Sequence, residues 1–258
     1  MRNKAIPALA AILLLGGAAA WYWWGRIAPT PALPPPVAAP APADTGPAIR
    51  NPLPAATGSA LPELASSDVP FNAALTDLPG ARALADFLRP ENLIRHLVAT
   101  VDNLPRHRLA VELRPLQPAS GSLKVSGGDQ EATLDDRNGS RYAALTAILG
   151  SLDMHDVNNL YRQYYRLFQR AYEDLGYPKG YFNDRLVEVI DDLLATPHVT
   201  GPVALVRPKV FWEFADPQLE ARSAGQKLML RIGSTNAAIV EGKLRELRAL
   251  VATAPPRR

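Results

Sequence analysis

Four acidic side chains recur at helical spacing between residues 183 and 195, namely Asp184, Glu188, Asp191 and Asp192. Carboxylates grouped in this way can hold a divalent cation or form the acid/base pair of a glycosidase. The apolar residues of the same interval fall on the opposite face, as in an ordinary amphipathic helix. The spacing leaves catalysis, cation binding and structural ion pairing open, and favours structural pairing.

The preceding helix, predicted over residues 154–175, carries three arginines at i, i+4 and i+8: Arg162, Arg166 and Arg170. Guanidinium groups at this spacing could bind glycan carboxylates or lipid phosphates. They are also typical of the solvated face of a helix whose tyrosines and phenylalanines pack inward. Because only residues 176–182 join the two helices, we expect antiparallel neighbours and ion pairs between the arginines and the acids.

The joining loop has the composition of a binding site. Gly176, Pro178 and Gly180 give it an unusual backbone path, aromatic side chains flank it, and Asn183 and Asp184 offer polar groups. Aromatic faces bind sugars or prolines, whereas a tight connector would bury the same rings and use Asn183 as a helix cap. The predicted binding residues are Tyr177, Tyr181, Phe182, Asn183, Asp184, Arg162, Arg166 and Arg170.

Motifs that accompany most catalytic chemistries are missing from the sequence. There is no cysteine, which excludes thiol nucleophiles, thiolate metal sites and disulfides. The four histidines are scattered and form no H-E-x-x-H, and neither G-x-S-x-G, S-x-x-K, a P-loop nor G-x-G-x-x-G occurs. We therefore predict no catalytic residue, no metal site and no cofactor. A glycosidase remains the open enzyme class, because it needs only two placed carboxylates.

The elements that must position these residues are mostly helical. Periodicity predicts helices near residues 71–78, 90–104, 136–149, 154–175, 183–195, 217–232 and 234–252. A hairpin is predicted around Gly127, and the extended segments 203–206 and 210–214 would join it in a small sheet. In the last segment Val210, Trp212 and Phe214 share one face, which predicts a core strand. The fold class is mainly α with a small β element (α+β), in a multi-helix soluble domain on an N-terminal transmembrane helix.

The first residues predict a membrane anchor. Residues 5–24 are apolar and long enough to span a bilayer, and they end in an aromatic cluster typical of a membrane interface. Arg2 and Lys4 precede the span, so residues 1–4 are expected in the cytoplasm and the rest outside. The alternative is a cleaved signal peptide, since Ala18 and Ala20 satisfy the small-x-small cleavage rule.

A linker and a folded domain follow the predicted anchor. Residues 28–62 hold 11 of the 25 prolines, so residues 25–62 are predicted as a disordered, semi-rigid Pro/Ala linker. Residues 63–252 form the predicted helical domain, and residues 253–258 a disordered tail. In a Gram-negative host this arrangement predicts a single-pass inner-membrane protein with a periplasmic domain.

The basic net charge belongs to the N-terminal part of the chain. Residues 1–60 contain four bases and one acid, so the remaining 24 bases and 24 acids cancel. A neutral domain has no overall field to attract polyanions, and no nucleic-acid partner is expected.

Four stretches resemble a bacterial envelope family known only as a domain of unknown function. They read ATVDNLPR (99–106), GYFNDRLVEVID (180–191), PKV (208–210) with FADP (214–217), and SAGQKL (223–228). The resemblance covers residues 61–250, and it implies the same layout of one membrane span, a proline-rich linker and an envelope location. It implies no activity and no catalytic residue.

These observations together predict a non-catalytic binding or interaction module of the cell envelope, with an envelope protein or cell-wall glycan as its partner. The alternative is an envelope glycan hydrolase in which Glu188 or Asp184 acts as the acid/base.

Overall fold

The computed structural model describes residues 48–54, 61–108 and 110–253. The predicted anchor at residues 5–24, most of the predicted linker and residues 254–258 lie outside these ranges. No helix within the described residues is long and apolar enough to cross a membrane.

The described chain is mainly α-helical with a small antiparallel sheet, which confirms the α+β part of the predicted fold class. The α-helices are α1 (Asp68–Thr76), α2 (Leu93–Asn103), α3 (Ala143–Ser151), α4 (Met154–Asp174), α5 (Phe182–Leu194), α6 (Pro217–Glu220), α7 (Ala224–Arg231) and α8 (Ser234–Val251). Short 3-10 helices cover Leu64–Ser66, Arg82–Asp86, Val111–Leu113 and Asp136–Arg141. The strands are β1 (Val125–Gly127), β2 (Glu131–Leu134), β3 (Ala204–Val206) and β4 (Glu213–Phe214).

The sheet has the order β1-β2-β3-β4, and all its neighbours are antiparallel. Ala132 pairs with Leu205, and Leu205 pairs with Phe214, so buried residues meet across β2, β3 and β4. The predicted hairpin and its pairing with the later extended segments are thus confirmed.

The prediction for residues 210–214 was wrong in its first half. Val210 and Phe211 are 68% and 79% exposed, and the strand contains only Glu213 and Phe214. Arg207 explains part of the difference, because its Nε donates to the Val210 carbonyl at 3.1 Å and its guanidinium lies 5.6 Å from the Trp212 ring. This local turn takes Val210 out of the strand.

Two helix boundaries also differ from the periodicity. α2 begins at Leu93 and not at Pro90, because Asn92 adopts a left-handed conformation (φ 52°) and the Asp68 carboxylate accepts hydrogen bonds from the N–H groups of Asn92 and Leu93. The predicted helix 217–232 is two helices, since the Ser223 hydroxyl accepts from the Gln226 N–H and starts α7 anew.

The centre of the domain is an aromatic cluster between α1, α2, α4 and α5. Phe71, Tyr161, Phe168 and Phe182 are each at most 9% exposed. The ring centroid of Phe168 lies 5.6 Å from that of Phe71 and 5.3 Å from that of Tyr161, which in turn lies 6.4 Å from that of Phe182. The Asp153 carboxylate caps α4 through the His155 N–H, as predicted. α4 therefore supplies most of the wall against which the joining loop folds.

Candidate functional site

The path of the loop between α4 and α5 depends on two glycines. Gly176 ends α4 with φ 106°, a conformation that favours glycine. The rings of Tyr172 and Tyr177 stack with centroids 4.6 Å apart. A Cβ atom on Gly180 would lie 2.8 Å from the Tyr172 ring and 3.1 Å from the Tyr177 Cβ, so the stack requires glycine there.

Two of the predicted binding residues lie inside the protein. Phe182 is 2% exposed and stacks on Phe168 at 5.9 Å. Asn183 is fully buried, and its Oδ1 accepts a hydrogen bond from the Tyr161 hydroxyl at 3.2 Å. Its Nδ2 donates to the carbonyls of Asn51 (2.8 Å) and Val251 (2.9 Å). In this conformation both side chains contact only the protein's own groups.

Asp184 and Tyr181 bind an extended piece of the same chain, residues 48–54, which we call the docked segment. The N–H groups of Arg50 and Asn51 donate to the Asp184 carboxylate at 3.0 and 2.7 Å, and the Asn51 Nδ2 adds a third hydrogen bond at 3.0 Å. The Leu53 N–H donates to the Tyr181 hydroxyl at 2.9 Å, and its side chain packs against the core. Its proline content had placed this segment in the predicted Pro/Ala linker.

The C-terminal end of the domain contacts the docked segment from another side. The Thr253 hydroxyl donates to the Arg50 carbonyl at 2.8 Å, and its N–H donates to the Asn51 Oδ1 at 3.1 Å. Asn51 is consequently 5% exposed, with its polar atoms shared between Asp184, Asn183 and Thr253. The two ends of the described domain therefore meet at the start of α5.

The three arginines of α4, which we call the arginine row, do not pair with the acids of α5. The expectation of ion pairs between the two helices was therefore wrong. Arg170 pairs within α4, at 3.2 Å from Asp174 and 3.9 Å from Glu173. Arg162 and Arg166 have no ion-pair partner within the described chain, and they lie on the outer face of α4. The structure does not bring this row together with the joining loop's polar groups.

Each acid of α5 is engaged by a different group. Glu188 lies 3.3 Å from Arg185, and the Asp191 carboxylate accepts hydrogen bonds from Arg248. This pairing raises the pKa of the Arg248 guanidinium. Asp192 accepts from the Ser223 hydroxyl at 2.7 Å. The acids therefore serve as separate structural contacts along α5.

An ionic cluster at the end of α2 was not predicted. Asp102 is 3% exposed, and its carboxylate accepts from the Arg185 Nε at 3.1 Å, the Tyr177 hydroxyl at 3.3 Å and the Arg106 guanidinium. The hydrogen bond with Asp102 raises the pKa of Arg106. The only signal in the sequence was an acidic residue on the apolar side of a predicted helix, a position where an unpaired charge is costly.

A second contact joins α7 to α2 and α5. The N–H of Gly225 donates to the Leu104 carbonyl at 2.9 Å, and a Cβ there would lie 2.5 Å from the Leu193 side chain. The Gln226 side chain donates to the Asp192 carbonyl at 2.7 Å. Three of the four stretches that carry the family resemblance thus meet around α5.

Burial keeps several tyrosines of the site protonated. Loss of solvation raises the pKa of Tyr161 well above its ordinary value of 10.0, and it raises the pKa of Tyr165 and Tyr172 in the same direction. These phenols act as neutral hydrogen-bonding groups near neutral pH, and not as bases.

Gln169 of α4 positions the loop backbone and was also missed. Its Nε2 donates to the Gly180 carbonyl at 2.8 Å, and its Oε1 accepts from the Phe182 N–H at 2.9 Å. Side chains that satisfy loop backbone groups have no pattern of their own in a sequence. The loop is thereby held rigidly against α4.

The described domain also contains two concave regions. One is a polar cleft of about 470 Å³ beside the start of α8, lined partly by Asp136, His198 and Arg231. Burial lowers the pKa of Arg231, whose guanidinium lies 4.9 Å from the Phe214 ring. The other is an apolar cavity of about 410 Å³ that reaches Phe71, Phe168 and Phe182. No group of three or more metal-ligating side chains occurs within the described residues.

Comparison with known proteins places the chain in a family. No curated protein and no solved structure matches it. Residues 93–248, more than half of the chain, match the family described as "Protein of unknown function (DUF3014)". The matched range runs from α2 to the last turns of α8 and includes the joining loop, the Asp102 cluster and α7. This chain belongs to that family of proteins of unknown function.

Proposed function

We propose that the chain is a non-catalytic interaction module of the bacterial cell envelope, anchored in the inner membrane through residues 5–24. The observation that carries this proposal is the docked segment. Asp184, one of the two predicted acid/base residues, accepts three hydrogen bonds from residues 50 and 51 of its own chain. A carboxylate in that environment accepts hydrogen bonds from peptide N–H groups, and three of its roughly four lone-pair sites are already used by the protein's own donors.

The docked segment also supports a role in placement. It lies between the predicted anchor and the helical domain, and it is bound by Asp184, Tyr181 and Asn183. A tether bound to the domain surface limits the orientations that the domain can adopt. The domain would then present a defined face to an envelope protein or cell-wall glycan.

The outer face of α4 is the first surface to test for that partner. Arg166 is exposed, Arg162 is partly exposed, and neither has an ion-pair partner within the described residues. Phe182 and Asn183, in contrast, are buried. Carboxylates or phosphates of a partner would suit two guanidinium groups one turn apart.

Site-specific cross-linking in living cells tests the proposal. A photoreactive residue is placed at Gln163, on the exposed face of α4, in the full-length protein, and adducts are identified by mass spectrometry. We expect a discrete envelope adduct that is lost when Arg162 and Arg166 are both changed to Ala. A photoreactive residue at exposed Val69 of α1 is the control position and should not give the same adduct.

The glycan hydrolase alternative is tested separately, by incubating the purified full-length protein with cell-wall glycan. We expect no release of soluble fragments. Fragment release that disappears in Glu188→Gln or Asp184→Asn would contradict the proposal and establish the hydrolase.

A further inference from the structure

An apolar cavity of about 410 Å³ lies between the helices of the described domain. Residues of α1, α2, α3, α4, α5 and α8 surround it, and the paired residues Leu88 and Leu116 close one side. Protein interiors contain few voids larger than a water molecule. A cavity of this size is therefore unusual for a core, and it falls within the 300–1,000 Å³ range typical of ligand sites.

The lining of the cavity has no polar group to offer. Its nineteen residues are aliphatic or aromatic apart from Pro115, and the one hydroxyl among them, on Tyr161, donates to Asn183. Water needs two to four polar partners to occupy a cavity, so it gains little here. An extended peptide would bury N–H and C=O groups that find no hydrogen-bond partner there, which is unfavourable. The occupant must be hydrocarbon along its buried length.

The depth of the cavity indicates the shape of that occupant. Its floor is formed by Phe71, Phe168 and Phe182, which are at most 7% exposed, whereas Leu75, Leu84 and Leu97 of the rim are partly exposed. An occupant therefore enters between the rim leucines and ends against the aromatic cluster. A flexible chain satisfies this geometry, and any polar group at its other end remains in solvent.

We propose that this cavity binds one aliphatic hydrocarbon chain, the acyl chain of a lipid. The binding is driven by burial of methylene groups against the apolar lining. The site is separate from the outer face of α4, so its test is independent of the partner proposed above.

Photolabelling of the full-length protein in cells tests this site. Cells that produce the protein are fed a fatty acid bearing a diazirine and an alkyne, irradiated, and the labelled peptides of the purified protein are mapped. We expect adducts on the peptides that contain Leu84 or Leu145, at the rim of the cavity. Adducts on residues 5–24 provide an internal standard, because a membrane-embedded segment would be labelled in every variant.

Filling the cavity should abolish the labelling. In Leu145→Trp the indole occupies the cavity, and we expect adducts on the rim peptides to fall by roughly tenfold or more relative to the internal standard. Leu228→Trp, at a partly exposed leucine outside the cavity, should leave them unchanged. Circular dichroism establishes whether each variant is folded. If Leu145→Trp does not fold, the positions of the adducts on the unmodified protein decide the question by themselves.

The mass of the adduct separates the sources of the chain. A mass equal to the probe indicates a free fatty acid, and a larger mass indicates that the probe was first built into a phospholipid. Labelling confined to residues 5–24, or spread evenly over the domain, would overturn the proposal. So would a photoreactive residue at Leu145 that captures a protein and no lipid, since the cavity would then receive the apolar face of a partner helix.

Discussion

At the scale of single residues, the polar groups that could do chemistry instead hold the chain to itself. Asp184 binds backbone N–H groups of the docked segment, and Asp102 binds two arginines and a tyrosine. Both carboxylates are accompanied by hydrogen-bond donors that satisfy their charge. Replacing either carboxylate by an amide leaves some of those donors without an acceptor. The contribution of each carboxylate to the free energy of unfolding can therefore be measured.

Asp184→Asn should weaken the attachment of the docked segment. The new amide presents N–H groups where the carboxylate accepted three hydrogen bonds, so we expect a loss of about 1–3 kcal/mol in the free energy of unfolding. Urea unfolding followed by circular dichroism measures the loss, and trypsin cleavage after Arg50 should become faster. Glu188→Gln is the control, since its side chain is 55% exposed and it has one ion pair, and the change should stay within about 0.5 kcal/mol.

Unchanged trypsin cleavage at Arg50 in Asp184→Asn would show that the docked segment does not depend on this carboxylate. The proposed restriction of the tether would then lose its basis.

Asp102→Asn should be destabilising because Arg185, with a side chain 18% exposed, keeps its charge in a largely buried place. We expect a loss of about 2–3 kcal/mol, below the value for a fully buried pair because Arg106 reaches solvent. The double variant Asp102→Asn/Arg185→Gln should lose less than the sum of the single variants. Additive losses, measured by the same unfolding titration, would show that the two side chains are not coupled.

At the scale of secondary-structure elements, α5 is the helix on which the others are assembled. Its first turn binds the docked segment through Asp184 and Asp102 through Arg185, and its C-terminal half contacts Arg248 and α7. The contact with α7 has no room for a side chain at Gly225. Close approach of the two helices therefore depends on one residue.

Gly225→Ala should push α7 away from α5. The added Cβ would lie 2.5 Å from Leu193 and 3.3 Å from the Leu104 carbonyl, and such overpacking costs about 1–3 kcal/mol of unfolding free energy. Gly242→Ala is the matched control, because nothing lies within 4 Å of the new Cβ in α8. That change should stabilise the protein by about 0.5–1 kcal/mol. Equal melting temperatures for the two variants would contradict this description of the contact.

At the scale of the whole molecule, the domain is built around an aromatic centre with buried phenols and a hydrocarbon cavity. The tyrosines of α4 satisfy their hydroxyls at the edge of this centre, as Tyr161 does with Asn183. Their shifted pKa values link the stability of the whole domain to alkaline pH.

Stability should fall as the pH rises above about 10. A tyrosine titrates near 10.0 in the unfolded chain, whereas burial raises the pKa of Tyr161 well above that value in the folded one. The folded state then binds more protons than the unfolded state, so the unfolding free energy decreases with pH between the two pKa values. Tyr161→Phe removes one such group and should reduce the slope. Unfolding titrations from pH 9 to pH 12 measure this slope. The same dependence of unfolding free energy on pH in Tyr161→Phe and in the unmodified protein would contradict the prediction.

Several elements follow from periodicity and capping residues. The apolar spacing and the Asp153 cap place α4 correctly, and Gly127 marks the hairpin. The predicted boundaries were wrong where a residue far away in the chain competes with the local pattern. Asp68 moves the start of α2 by accepting hydrogen bonds from the N–H groups of Asn92 and Leu93, which are 24 and 25 positions away in the chain. No window of the sequence contains both members of such a pair at a recognisable spacing.

In the candidate site, too, some features follow from the local sequence and others depend on contacts between distant parts of the chain. The sequence alone determined that residues 176–184 form a glycine-constrained aromatic connector, because ring size, glycine and proline act locally. Only the tertiary structure decided that Asp184 binds residues 50 and 51, which are more than 130 positions away in the chain. It also decided that leucines and rings from six helices enclose a cavity, since a void depends on the joint packing of all its walls and on no single residue.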